Sequence, residues 1–205
     1  MRSVLLGCIL AAAFWFVLFS PWTFEKINFW GVMVAASGTL AIYGIASNKP
    51  NLRLLYTFHP KWILVGIVSA AILYILFFAG DKISAALFGF APPQVAAIYG
   101  TKIQASPTLI GALLFFWIGP CEEIFWRGFA QPRFAQRFGV RKGYIITSMI
   151  YAGIHVWAFN FMLFMAAIVC ALFWGWMFLK YNSVWPGLIS HAVWDLSIFV
   201  LLPIR

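Results

Sequence analysis

Seven apolar runs, each near the length of a membrane crossing, follow one another along the chain. They cover roughly Val4–Phe19, Phe29–Ala46, Trp62–Gly80, Thr108–Ala130, Gly143–Phe159, Phe161–Leu179 and Val184–Leu202. A helix needs about 20 residues to cross a hydrocarbon core about 30 Å thick. Composition sharpens the reading: 64% of residues are hydrophobic and 9% charged, against about 25% charged in a soluble domain. A soluble chain of this size has no means of hiding so much apolar surface, because a water-facing surface needs polar groups. The expected fold is all-α: a polytopic transmembrane helical bundle of about seven spanning helices, forming one integral membrane domain over residues 1–205.

Two stretches test that count. Ile83–Gly100 carries Pro92 and Pro93 at its centre. It reads as an interfacial or re-entrant piece, with an eighth span as the alternative. The first run follows Arg2 and has the look of a signal peptide, but Phe, Trp and Pro crowd its end and no small-x-small cleavage site precedes Pro21. It is expected to be a retained span.

The formal net charge is +9. In a soluble protein that balance would suggest nucleic acid. Here the cations sit in short loops between apolar runs, which makes them topology signals and lipid head-group contacts, with no nucleic-acid partner expected. With seven spans, Arg2, Lys49, Arg53, Lys61, Arg133, Arg137, Arg141, Lys142 and Lys180 share one side, and Lys26, Lys82, Lys102 and Arg205 the other. Nine against four predicts a cytoplasmic N-terminus and an external C-terminus in a multi-pass protein of a bacterial inner membrane. An eighth span would break the pattern. Cys8, Cys121 and Cys170 all lie in apolar runs, and an odd number there is no disulfide framework.

The chain has five acidic residues and three histidines. Glu122, Glu123, Asp195, His155 and His191 lie inside the runs, as does Arg127. A charge at a helix centre in the bilayer costs about 2.5–3.5 kcal/mol on insertion scales, so such residues are functional candidates by default. Glu123 and Arg127 are four apart, share a helix face and can pair. Glu122 lies about 100° round and stays free for another partner. His191 and Asp195, and Tyr151 and His155, repeat the four-residue spacing. Counted from the assigned cytoplasmic ends, Glu122 lies roughly 12 Å deep, His155 roughly 18 Å, His191 roughly 10 Å and Asp195 roughly 16 Å. These depths allow one layer in the cytoplasmic half or near the midplane, where a carboxylate and two imidazoles can activate water.

The run Glu122-Glu123-Ile124-Phe125-Trp126-Arg127 fits an EExxxR motif, His155 ends an FxxxH-like motif with Tyr151 in place of Phe, and His191 is followed four residues later by Asp195. In that order the three motifs resemble those of the CPBP family, the CAAX-protease and bacteriocin-processing intramembrane proteases, over about residues 108–195. The resemblance implies an intramembrane endopeptidase of the glutamate type acting on a peptide or protein tail in or at the membrane: a CAAX-like tail, a leader peptide or a C-terminal sorting tail. By that analogy Glu122 is the general base, His155 also holds the water, and His191 and Asp195 stabilise the oxyanion or position the carbonyl. Glu123, Arg127 and Tyr151 orient the site. Asp195 raises a difficulty, because an ionised carboxylate only accepts hydrogen bonds; it must be protonated or act by orienting His191.

Three other readings remain open on the residues alone. Buried ionisable groups also serve as glue between helices, as in a non-proteolytic immunity or scaffold protein. They also make ion pathways. Glu122, His155, His191 and Asp195 also offer ligands suited to zinc, although there is no HExxH run; the resemblance implies a metal-independent mechanism with no cofactor.

Overall fold

A computed structural model describes residues 1–47 and 55–204. It is helical throughout, with no strand among the described residues. The helices, in chain order, are α1 (Arg2–Phe19), α2 (Phe29–Ser47), α3 (Lys61–Leu87) and α4 (Ala91–Tyr99). There follow α5 (Pro107–Phe138), α6 (Val140–Gly153, continued by a 3-10 turn over Ile154–Ala158), α7 (Phe161–Tyr181) and α8 (Trp185–Leu201).

All seven expected runs are helical, but not all are equal. Five helices, α1, α2, α3, α5 and α7, are long and apolar enough to cross a membrane. Two are shorter: α6 has a 14-residue α segment, and α8 has 12 residues of α-helix ending in a π turn over Ser197–Leu201. The eighth span is not formed. Ile83–Leu87 extends α3, and the rest of that stretch is nine-residue α4, about 14 Å long and too short to cross. Gln94 ties α4 to the turn before α7: its carbonyl accepts from Asn160 Nδ2 at 2.8 Å, and its Oε1 accepts from the Met162 amide at 3.0 Å.

The ends of the helices follow from local chemistry. Ser106 caps α5, accepting from the Leu109 amide, with Pro107 in the first turn where its missing N–H costs nothing. Gly139 takes φ +88 at the reversal from α5 to α6, a conformation L side chains resist. The close α6–α7 junction at Asn160 is made by Phe159 in the left-handed region and by Asn160 Oδ1 capping the Leu163 amide. α5 is not a uniform helix. Wide π turns over Leu114–Ile118 and Trp126–Ala130 each stand just before a proline, Pro120 and Pro132. A proline ring collides with the carbonyl four residues back in a regular helix, and a locally widened turn relieves that collision.

Successive long helices run up and down. Met1, the end of α2, the starts of α3, α6 and α8, and the ends of α5 and α7 lie on one face, here the N-terminal face. The α1–α2 connection, α4 and the C-terminus lie on the opposite face. Polar contacts agree: Tyr43 Oη donates to the Ser3 carbonyl on the first face, and Trp30 Nε1 to the Thr101 carbonyl on the second. Trp15, Phe125, Trp126, Phe129 and Trp174 are wholly buried, whereas Leu64, Ile75, Phe116 and Met149 are at least 66% exposed. An apolar interior beneath an equally apolar exterior is what a bundle surrounded by lipid requires.

Candidate active site

The site is assembled on α5. Glu122 and Glu123 sit in the seven-residue α segment between its two π turns and point to different neighbours. Glu123 is fully buried. Its Oε1 accepts from Arg127 Nη1 at 2.8 Å and from His191 Nδ1 of α8 at 3.0 Å. The expected pair within α5 is therefore present and is extended across to α8, which spacing alone had not indicated. Arg127 Nη2 continues the chain of contacts to the Ala171 carbonyl of α7 at 3.1 Å, and its guanidinium lies 5.2 Å from the Tyr151 ring centroid. Gly187 lets α8 approach: a Cβ there would stand 2.8 Å from Glu123 Oε2.

Glu122, about 100° away round the helix, meets α6 instead. Its Oε2 accepts from the Tyr151 hydroxyl at 3.0 Å. Tyr151 occupies the position where the resembling motif has Phe, so this hydrogen bond depends on the departure from the motif.

His155 is held at both nitrogens. Nδ1 stands 2.8 Å from the Tyr151 carbonyl, and Nε2 stands 3.0 Å from Trp15 Nε1 of α1. A carbonyl only accepts and an indole N–H only donates. The proton is therefore on Nδ1, and Nε2 accepts from Trp15. In this arrangement both nitrogens of His155 are engaged within the protein.

His191 is anchored differently. With Nδ1 donating to the Glu123 carboxylate, its Nε2 faces Asp195, whose Oδ2 is 3.5 Å away, in ion-pair range. The imidazole stacks on Trp174 at 3.7 Å between centroids with planes 20° apart, and Trp174 Nε1 donates to Ser190 Oγ at 3.1 Å. Asp195 thus stands against His191.

Glu122, Tyr151, His155, His191 and Asp195 all border a single cavity of about 690 Å³. Glu123 and Arg127 do not reach it; they lie behind the wall. α5 continues past Ala130 through the polar run Gln131–Phe138, so Glu122 is about 24 Å from the end of the helix at the N-terminal face.

The His155 Nε2 lone pair is taken up by the Trp15 indole N–H in this arrangement, and no group of three or more His, Cys, Asp or Glu among the described residues is disposed to hold a metal ion. Trp15 and Trp174 are the contributors that sequence reasoning missed. Trp174 left a trace, since an indole N–H well inside a span needs an acceptor; Trp15 left none.

Comparison with curated proteins and with solved structures finds no match to this chain. Residues 104–197, just under half of the chain, match the family model described as Type II CAAX prenyl endopeptidase Rce1-like. That segment runs from the approach to α5 to the last turn of α8 and contains every residue of the three motifs, so the resemblance read from them holds. Through residues 104–197 the chain is therefore similar to the Rce1-like CAAX proteases, a likeness consistent with an intramembrane protease of that kind.

Proposed function

We propose that the protein is a glutamate-type intramembrane endopeptidase, independent of metal and cofactor, that hydrolyses a peptide bond in a membrane-associated tail. The observation that supports this reading is that Glu122, His155, His191 and Asp195, from three helices, border one cavity within a bundle otherwise poor in charge.

Glu122 takes a proton from a water as the water oxygen attacks the scissile carbonyl carbon. Tyr151 fixes the carboxylate through Oε2, leaving the other oxygen for the water. His155 Nε2 becomes the second acceptor for that water when it exchanges the Trp15 indole for it. The carbonyl π electrons move onto oxygen, and His191, protonated on both nitrogens between Glu123 and Asp195, turns its Nε2–H from Asp195 to the oxyanion; its Nδ1–H is already fixed on Glu123, which sets which edge of the ring faces the site. Asp195 holds the imidazole from its open side. The intermediate collapses as the C–N bond breaks and Glu122 returns its proton to the leaving amine.

The test is cleavage of membrane-tethered peptides by purified protein, wild type against Glu122→Gln, each with and without a strong chelator. Cleavage that survives the chelator and is lost in the variant is the expected result. Loss with chelator and recovery with zinc would replace the mechanism with a metal-dependent one. Undiminished cleavage by both Glu122→Gln and His155→Ala would remove the assignment.

A further inference from the structure

The cavity has a direction. Its wall is formed by the end of α1, the start of α2, the last turns of α3, α4, the first half of α5, the end of α6, α7 from its start to Trp174 and α8 from His191 onward. Apart from Trp174 and His191, which stand near the middle of α7 and α8 at the inner end of the cavity, these lie in the half of the bundle toward the face opposite the N-terminus. At the rim stand Phe24, Phe88, Tyr99 and Asn160, all in connections or helix ends on that face. Below Glu122 the way is filled: Phe125, Trp126, Phe129 and Ala130 are wholly buried, and the Gln131 side chain is bonded across to the Gly175 carbonyl of α7. The cavity is therefore a well with its floor at Glu122 and His191.

Charge assigns the two faces to the two sides of the membrane. Among the described residues the helix ends and connections of the N-terminal face carry seven Lys and Arg, and those of the opposite face three: Lys26, Lys82 and Lys102. Lys49, Arg53 and Arg205 lie outside the described residues. All the connections are short, which is the condition under which a cation excess marks the cytoplasmic side. The cytoplasmic side is thus the closed one.

We infer that the active site opens to the non-cytoplasmic side, and that its substrate is the membrane-proximal segment of a protein already carried across the membrane. This rests on the peptidase reading for what happens at the floor, but not for where the mouth is. The volume, about 690 Å³, is within the range of about 300–1,000 Å³ usual for binding pockets. It admits a short stretch of chain and excludes a folded domain. Along α8 the floor at Asp195 is about 9 Å from the end of the helix at Leu201, and along α5 Glu122 is about 22 Å from Pro107. Extended chain covers about 3.3 Å per residue, so about three to seven unfolded residues bridge the mouth and the scissile bond.

The facing is tested without reference to catalysis. Single cysteines are introduced at Gly89 (Gly89→Cys, exposed beside the rim), Ser84 (Ser84→Cys, on the cavity wall) and Gln136 (Gln136→Cys, exposed near the end of α5). The native cysteines are buried, and the wild-type chain supplies the background. With a membrane-impermeant maleimide on spheroplasts, Gly89→Cys and Ser84→Cys should label at least tenfold faster than Gln136→Cys, and Gln136→Cys should label only after lysis. The reverse pattern overturns the inference, and so does a Ser84→Cys that labels from the side of Gln136→Cys. A second measurement adds a fluorogenic peptide with an apolar C-terminal tail outside spheroplasts or outside inverted vesicles. Hydrolysis confined to spheroplasts and absent in Glu122→Gln is expected; hydrolysis confined to inverted vesicles overturns the inference. Labelling as expected with no hydrolysis in either orientation would leave the facing established and remove the peptidase reading.

Discussion

The two faces of α5 that carry Glu122 and Glu123 differ by one residue in sequence and by everything in surroundings. The Glu123 face is closed: its carboxylate is shared by Arg127 and His191, Arg127 reaches α7, and neither Glu123 nor Arg127 borders the cavity. The Glu122 face is open: one oxygen is held by Tyr151 and the residue borders about 690 Å³ of empty space. Adjacent acids thus divide the labour. One holds helices together and fixes an imidazole, and the other borders the cavity.

Mutations on the two faces should separate along the same line. The largest effect on rate is expected for Glu122→Gln: removing a general base costs about 10²–10⁴-fold. Its melting temperature should stay within a few degrees of wild type, as the cavity absorbs the change; a comparable loss of stability would mean that Glu122 is structural after all. Glu123→Ala should do the reverse, lowering stability by about 3–5 kcal/mol because it strands the buried Arg127 charge. Thermal unfolding in detergent measures this, and a stable but inactive Glu123→Ala would move that residue into the chemistry.

Smaller changes sharpen the comparison. Gly187→Ala places a methyl 2.8 Å from Glu123 Oε2, and the displacement of α8 should cost about 1–3 kcal/mol. Trp15→Phe keeps the ring and removes the donor to His155, a loss of about 1 kcal/mol. In the histidine ¹⁵N spectrum this should appear as a shift of the unprotonated Nε2 signal of His155, identified by its absence in His155→Gln. No change in that signal would mean that Trp15 does not hold the imidazole. Tyr151→Phe puts the resembling motif's own residue in place, and activity should fall by no more than about 10- to 150-fold, the ceiling set by loss of one hydrogen bond to a charged group worth about 1.5–3 kcal/mol.

Much of this was legible because the cost of burying charge is a local property. Six ionisable residues inside apolar runs stood out, and all six lie in or directly behind the site. The i,i+4 pairing of Glu123 with Arg127 and the free face of Glu122 followed from helix geometry and are present. Span lengths were less legible. A helix that leaves the membrane continues through Gln131–Phe138, because polar residues form helix as readily as apolar ones once the first turns are made. The proline-rich segment after α3 was read as broken, and the break is the short helix α4.

What the sequence determined by itself is the helical membrane class, the set of ionisable residues that line or back the cavity and the charge difference between the two faces. Each depends on single residues or on neighbours within a turn. What only the tertiary structure decided is which groups meet across helices: Trp15 with His155, 140 positions apart, Glu123 with His191, 68 apart, and the filled floor that leaves the cavity open to one side. Those contacts arise from how helices distant in the chain pack and rotate against one another, and hydropathy has the same value for a residue whichever neighbour it faces.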